Sequence, residues 1–460
     1  MAAALALASA GFYAVMVGVA LSCQQVLFAD GAAFAYIAGL DEPWSLFWSN
    51  NPARIGSAVV TVFPVWLLRQ VFALDALQAS LAYQVLILVL PVPSLILTWL
   101  WLPPGRRALF VPMLAVTIGI GMTTFSFPTE VAVTAATFWP LLVGALFPVA
   151  GIRRFAAMLS LAFLFAFSHS FMILGAPTIV VAARTGFRDA DAATRRWLLA
   201  AMVWLCMLVL AGLAVAAVQQ PHNPLIARAL VENGLLIVPN VLTIIRHPAL
   251  ISAAALLLGL WMGVRGLQSR AWLACIAVAV VVDVIYAVRF DANFLPHFAY
   301  QARTALGGAL PMAGLVVLVM FRRQWSIPPV AGTVLMAALL LNQACYEVVF
   351  ASIWKRYRQV LVSTLTSPGP AVVALGQSRV GHLLSEGDVA GQFVWQWVLP
   401  YQSLLVSFPA EQARDKVIID DDSWFVPFNC GDTPRLLRPA HVSAEAFRGL
   451  TENVCLKNPH

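Results

Sequence analysis

The chain has 460 residues, of which 61% are hydrophobic and only 11% charged, and its mean hydropathy is +0.84. Soluble domains carry roughly 25% charge, so a water-soluble globule is excluded. Apolar runs of about 20 residues recur without the ten-residue alternation of barrel strands, which predicts an all-α polytopic membrane helical bundle.

The net charge of +7 does not point to nucleic acid. Up to Gln324 there are 18 arginines, no lysine and ten acids, whereas from Trp325 onward ten basic residues face eleven acids. The excess of positive charge therefore belongs to the apolar part. There the arginines sit in short turns between hydrophobic runs, as topology selection places them.

The first run, Ala4 to Phe28, is longer than the apolar region of a signal peptide and lacks a basic leader, so it reads as a retained anchor. Asp30 and Gly31 follow it and open a loop, 29–77, predicted to carry two surface helices. Further spans are expected at about 78–101, 108–126, 131–150, 155–169, 170–183, 197–218, 249–264, 271–290, 304–321 and 328–350. Counting 54–77 as a span instead would move Arg106 and Arg107 away from the other arginine-rich turns. Eleven spans put twelve arginines on one side, which the positive-inside rule makes cytoplasmic, and half as many on the other. The N-terminus is then inside and the C-terminus outside. The pair 155–169 and 170–183 is too short for two full crossings, and meets at the polar apex Ser168-His169-Ser170.

After Phe350 the composition changes, with the acidic run Asp420 to Asp422 and a strand-like stretch from Ala371 to Leu375. Residues 351–460 are expected to form a small soluble α/β cap on a transmembrane domain, 1–350. Cys430 and Cys455 fall on the side where disulfides persist and are predicted to bridge, closing a loop of about 24 residues. No metal-ligand spacing occurs among the cysteines or the seven histidines.

Polar groups bordering membrane spans are costly to place, so each is a functional candidate. Asp30 ends the first run. Glu130 follows the turn Phe127-Pro128-Thr129, where the helix dipole by itself favours a carboxylate. His169 caps the short pair. Arg289, Asp291, His297, Tyr300 and Arg303 form the densest outward polar cluster, and Arg303 opens a span, where a guanidinium and a helix N-terminus suit a phosphate. His222 lies in a Pro- and Asn-rich turn. Glu347 and Asp283 border spans as possible helix-to-helix partners, and Arg54 and Arg69 suit lipid headgroups.

The acidic residue Asp30 in the first outer loop, the surface helices after it, the acidic turn Pro128-Thr129-Glu130 and the soluble tail together resemble the GT-C superfamily of integral-membrane glycosyltransferases. Ser168-His169 and Gly175-Ala176-Pro177 are similar to stretches in uncharacterised bacterial relatives. The resemblance implies inverting transfer of a sugar from a polyprenyl-phosphate carrier to a hydroxyl of a glycan, lipid or protein at the outer face of a bacterial inner membrane. Asp30 would be the base, Glu130 and His169 would orient the acceptor, and Arg303 with His297 or Arg289 would hold the lipid phosphate. His222, Tyr300 and Asp291 are secondary candidates. Many members carry paired acids in this loop; here Gly31 follows Asp30, and Asp41-Glu42 comes eleven residues later. The motif therefore supports no particular divalent metal or other cofactor. The rival readings are a transporter or flippase, and a ligase or acyltransferase acting on lipid-linked glycans. A catalytically dead relative whose cap binds a partner is a further alternative.

Overall fold

In a computed structural model the chain is a predominantly helical bundle. The structure describes residues 2–39, 43, 52–119, 130–169, 172–219, 298–324, 329–369, 372–395, 398–406 and 417–419, with scattered positions between 255 and 285. The expected spans 249–264 and 271–290 fall largely outside the described residues, as do Cys430 and Cys455.

Helix α1 (Ala2–Cys23) has no charged residue and leads through a single 3₁₀ turn, Gln25–Leu27, into the nine-residue α2 (Asp30–Ala38). Residues 52–72 then form a 3₁₀ turn, Pro52–Arg54, followed by α3 (Ile55–Val60) and α4 (Val62–Phe72). The stretch Ile55–Phe72 has the length and hydropathy of a span. However, it breaks at Thr61 into pieces of six and eleven residues, about 9 and 16 Å long, and neither alone matches a hydrocarbon core of about 30 Å. Arg69 on α4 does not face headgroups. It is buried, and it donates to the Gly39 carbonyl at 3.0 Å and the Leu74 carbonyl at 3.2 Å, satisfying orphan carbonyls at two helix ends.

Helices α5 (Ala76–Val89) and α6 (Pro91–Trp101) continue through Leu90, whose backbone is helical. They are followed by α7 (Phe110–Gly119), α8 (Glu130–Leu146), α9 (Ile152–Ala166), α10 (Met172–Asp189) and α11 (Ala192–Gln219). Asp191 caps α11, accepting from the Thr194 amide at 2.7 Å. One face of α11 buries Leu198, Ala201, Met202 and Leu205, while Leu199, Val203, Met207 and Leu210 are exposed on the other, a division that suits contact with lipid on one side. Among the described residues five stretches are long and apolar enough to cross a membrane: Leu5–Cys23, Ile55–Phe72, Gln78–Trp101, Ala192–Ala216 and Gly332–Thr366. The chain is a helical membrane protein on that ground.

Helix α12 (Phe298–Arg323) begins earlier than expected, so Arg303 lies in its second turn and not at its N-terminus. The 38-residue α13 (Pro329–Thr366) is about 57 Å long and outreaches a hydrocarbon core of about 30 Å. The composition change at residue 351 therefore falls inside one continuous helix, not at a break in the backbone. Charge enters with Lys355, Arg356 and Arg358, and the backbone has no reason to break there.

Beyond α13, strand β1 (Val372–Ala374) precedes α14 (Arg379–Ser385) and α15 (Leu399–Val406), and β2 (Val417–Ile419) pairs parallel with β1, Val373 opposite Ile418. These elements fold back on α13 and α2. Gln402 of α15 donates to the Leu27 carbonyl at 2.9 Å and accepts from the Tyr357 hydroxyl at 2.7 Å. The Phe28 ring is surrounded by Phe350, Trp354, Phe393 and Trp395 at centroid distances of 5.7, 6.0, 5.1 and 6.1 Å.

The bundle has two unlike ends. At one, Arg106 lies over Phe321, Arg107 over Trp99 and Arg154 over Trp101, and Arg322 donates to Thr185 at 3.1 Å. Four of the arginine-bearing turns therefore gather there. Glu130 and His169 sit at the opposite end, because α8 runs from Glu130 toward the Arg154 turn and α10 runs from the His169 turn toward Thr185.

At that second end α3 docks on the turn after α9. The Gly56 amide donates to the Phe167 carbonyl at 2.8 Å and the Ser57 hydroxyl to the Ser168 carbonyl at 3.3 Å. A Cβ at Gly56 would stand 2.9 Å from the Phe167 oxygen and 3.0 Å from the Leu164 oxygen. Gly56→Val is expected to push the two backbones apart and to destabilise the protein by about 1 to 3 kcal/mol, read as a lowered unfolding midpoint in detergent. Gly11→Val, where nothing lies within 4 Å, serves as the control.

Candidate functional site

Docking of α3 carries Arg54, the last residue of the preceding 3₁₀ turn, across to α8, where its guanidinium donates to Glu130 Oε1. The Glu130 side chain is 2% exposed and that of Arg54 is 30% exposed, so the pair joins a buried carboxylate to a cation at the edge of the site. Glu130 is also the first residue of α8, where the helix N-terminus favours its charge. Its Oε2 atom and the hydroxyl of Thr134, one turn on, are buried without a hydrogen-bond partner among the described residues. Tyr83 of α5 is buried close enough for the Glu130 charge to act on it.

His169 is buried in the turn between α9 and α10, outside the five stretches of membrane-spanning length, and its carbonyl accepts from the Met172 amide at 3.1 Å. Burial first, and the positive charge of Arg54 after it, hold the imidazole well below its ordinary value, so His169 is neutral in the folded protein. The flanking helices have 15 and 18 residues, about 22 and 27 Å, so each is shorter than a hydrocarbon core of about 30 Å.

Asp30 opens α2 after a strained residue, Ala29, at φ 51 and ψ −137, a conformation costly for a side chain with a Cβ. A base at the outer face of a membrane would be expected to meet water; the structure buries Asp30 instead, at 3% exposed. The reason is the fold-back of the C-terminal elements: α15 packs on α2, with Tyr401 5.2 Å from Tyr36. One turn beyond Asp30, Phe34 stacks on Tyr83 at 6.5 Å, so α2 joins the Glu130 layer through α5.

The structure brings the expected site residues Glu130 and His169 together with Arg54, and places Asp30 in α2. Arg54, expected at headgroups, is the member that sequence reasoning assigned elsewhere. A signal for it was present, since Glu130 is the only acid between Asp75 and Asp189 and is the acid to which Arg54 bonds. Arg303 and Tyr300 lie in the first turns of α12, whose last turn, with Arg322, is at the basic end; a 26-residue helix is about 39 Å long, so its start is at the opposite end. Arg289, Asp291, His297 and His222 lie outside the described residues, as do Asp41 and Glu42. Among the described residues no group of three or more His, Cys, Asp or Glu side chains is placed to hold a metal ion. No family model matches the chain, and comparison with curated proteins and with solved structures likewise gives no match.

The state of His169 has a measurable consequence. Unfolding exposes an imidazole that takes up a proton below about pH 6.5, while the folded protein excludes it. Its contribution to stability is therefore complete above that pH and is lost as the pH falls. The unfolding midpoint of the wild type, relative to His169→Gln, is expected to drop between about pH 7 and about pH 5, and less steeply in Arg54→Ala; midpoints that stay parallel would mean that His169 is hydrated.

Proposed function

We propose that the protein is an inverting glycosyltransferase of GT-C type, moving a sugar from a polyprenyl-phosphate carrier to an acceptor hydroxyl. In this reading it is a bacterial inner-membrane protein with eleven spans. The arginine-rich end is cytoplasmic, and the surface helices and the C-terminal α/β cap lie outside. The observation that carries the proposal is the segregation of chemistry in the bundle. Asp30, Arg54, Glu130, His169 and the start of the Arg303 helix share one end, away from the end where Arg106, Arg107, Arg154 and Arg322 gather.

Inverting transfer needs a base for the acceptor proton and positive charge for the phosphate leaving group. As the acceptor oxygen bonds to the anomeric carbon, the bond from that carbon to phosphate breaks and the hydroxyl proton passes to Asp30. Arg303 holds the departing phosphate, assisted by His297 or Arg289. Arg54, fixed by Glu130 and partly exposed, presents a second guanidinium from the same end, where preorganised charge contributes several kcal/mol. Neutral His169 and the Glu130 carboxyl suit hydrogen bonds to acceptor hydroxyls. The polyprenyl chain lies along an apolar helix face in contact with lipid.

Sugar transfer from a lipid-phosphate donor is the test. Asp30→Asn is expected to lower turnover by about 10² to 10⁴-fold while the variant stays folded, and Arg303→Ala to raise the KM for donor more than that for acceptor. A folded Asp30→Asn protein with full turnover removes Asp30 as the base. Absence of transfer from any lipid-phosphate sugar overturns the reading.

A further inference from the structure

A second buried polar group lies away from Arg54, Glu130 and His169, where α13 passes the end of α1. Glu347 and Gln25 are both 0% exposed, and Gln343 is 1% exposed. Among the described residues, both carboxyl oxygens of Glu347, both amide atoms of Gln25 and the amide nitrogen of Gln343 lack a hydrogen bond of good geometry. Yet the Gln25 amide is near enough to act on the Glu347 carboxyl as a hydrogen-bond partner. Gln343 and Glu347 are four residues apart and share a face of α13. Gln25 opens the 3₁₀ turn that leads through Phe28 and the strained Ala29 to Asp30.

The chemistry of these atoms discriminates between ways of satisfying them. An ionised Glu347 offers only acceptors. It would leave the Gln25 carbonyl oxygen facing a negative charge, and would bury that charge in an apolar bundle at high cost. A metal ion would match the carboxylate and the Gln25 oxygen, but would leave the amide N–H groups of Gln25 and Gln343 facing a cation. A carboxylic acid matches all of them. Its O–H would donate to Gln25 Oε1, its carbonyl oxygen would accept from Gln25 Nε2, and Gln343 Nε2, on the same helix face, would donate to that oxygen, which has two lone pairs. One proton would thus satisfy five buried atoms that have no partner among the described residues.

We infer that Glu347 is a neutral carboxylic acid paired in a two-bond ring with the Gln25 amide, and that this pair positions Asp30. The positioning role rests on Asp30 being the catalytic base; the pair itself does not. Ionisation of Glu347 removes the donor that Gln25 Oε1 needs and releases the 3₁₀ turn from α13, and with it the start of α2. Other titratable groups around it are Tyr13 and Cys23 on α1, Cys345 on α13 two residues before it, and Lys355, Arg356, Tyr357 and Arg358 two turns or more beyond. Arg356 is paired with Asp388. The fold-back elements bring Arg379 and His382 on α14, Glu386 just after it and Tyr401 on α15, and α7 contributes none.

The test is infrared difference spectroscopy of the full protein in lipid, wild type against Glu347→Gln, at neutral pH. A protonated-carboxyl C=O band present in the wild type and lost in the variant is expected, and that band should shift in Gln25→Ala. Because two amides can form the same ring, Glu347→Gln should stay folded, and the unfolding midpoint of the wild type relative to this variant should fall as the pH rises from about 5 to about 8. No such band, with a pH-independent difference in midpoint, overturns the pair. Where sugar transfer is measured, Gln25→Ala is expected to lower kcat at an unchanged donor KM, and Glu347→Gln to remove an alkaline fall in kcat. An unchanged kcat in Gln25→Ala and an unchanged pH profile in Glu347→Gln would overturn the positioning role. A protein with the infrared band but no transferase activity would retain the pair and lose the glycosyltransferase reading.

Discussion

The backbone contact between Gly56 and the turn at Phe167 is the constraint on which the candidate site depends. Without it, the apolar segment 52–72 has the composition to lie on a membrane surface or to cross the bilayer. With it, the segment is held against the junction of two helices, each shorter than a hydrocarbon core, and Arg54 is carried to Glu130. The contact is possible because a glycine lets two carbonyls approach the α3 backbone to about van der Waals distance.

A second constraint is the scarcity of water inside such a bundle. A buried polar group left without a protein partner is costly there, and for several groups the fold supplies one from a distant part of the chain. Trp354 donates to the Cys23 carbonyl at 2.8 Å, and Gln402 reaches Leu27 across 375 positions. These bonds fasten the end of α1, the start of α2 and the C-terminal elements into one layer above Asp30. The result is an acid shielded by its own tail, and its access to any bound molecule depends on how α15 and α2 sit together.

How much of this was legible beforehand varies by residue. Glu130 and His169 stand out in the sequence because a polar side chain beside an apolar run is costly, and that cost is local. Arg54 did not stand out as a site residue because its partner is 76 positions away, and nothing within a helical turn of it identifies the pairing. Asp30 was legible as a candidate but its burial was not, since the cover comes from a helix near residue 400. The residues around Arg303 suggest a helix start there, yet the helix begins at Phe298, because the semi-polar residues between them are compatible with helix.

The sequence by itself determined the membrane character, the helical class and the grouping of arginine-bearing turns, because hydropathy and charge act over windows of a few residues to a few turns and need no knowledge of neighbours in space. Only the tertiary structure decided that Ile55–Phe72 is broken and docked, that α13 runs unbroken through the change of composition at residue 351, and which buried polar groups meet. Those outcomes depend on contacts between segments tens to hundreds of residues apart, where the alternatives are equally apolar and differ only in which hydrogen-bonding groups are left without partners.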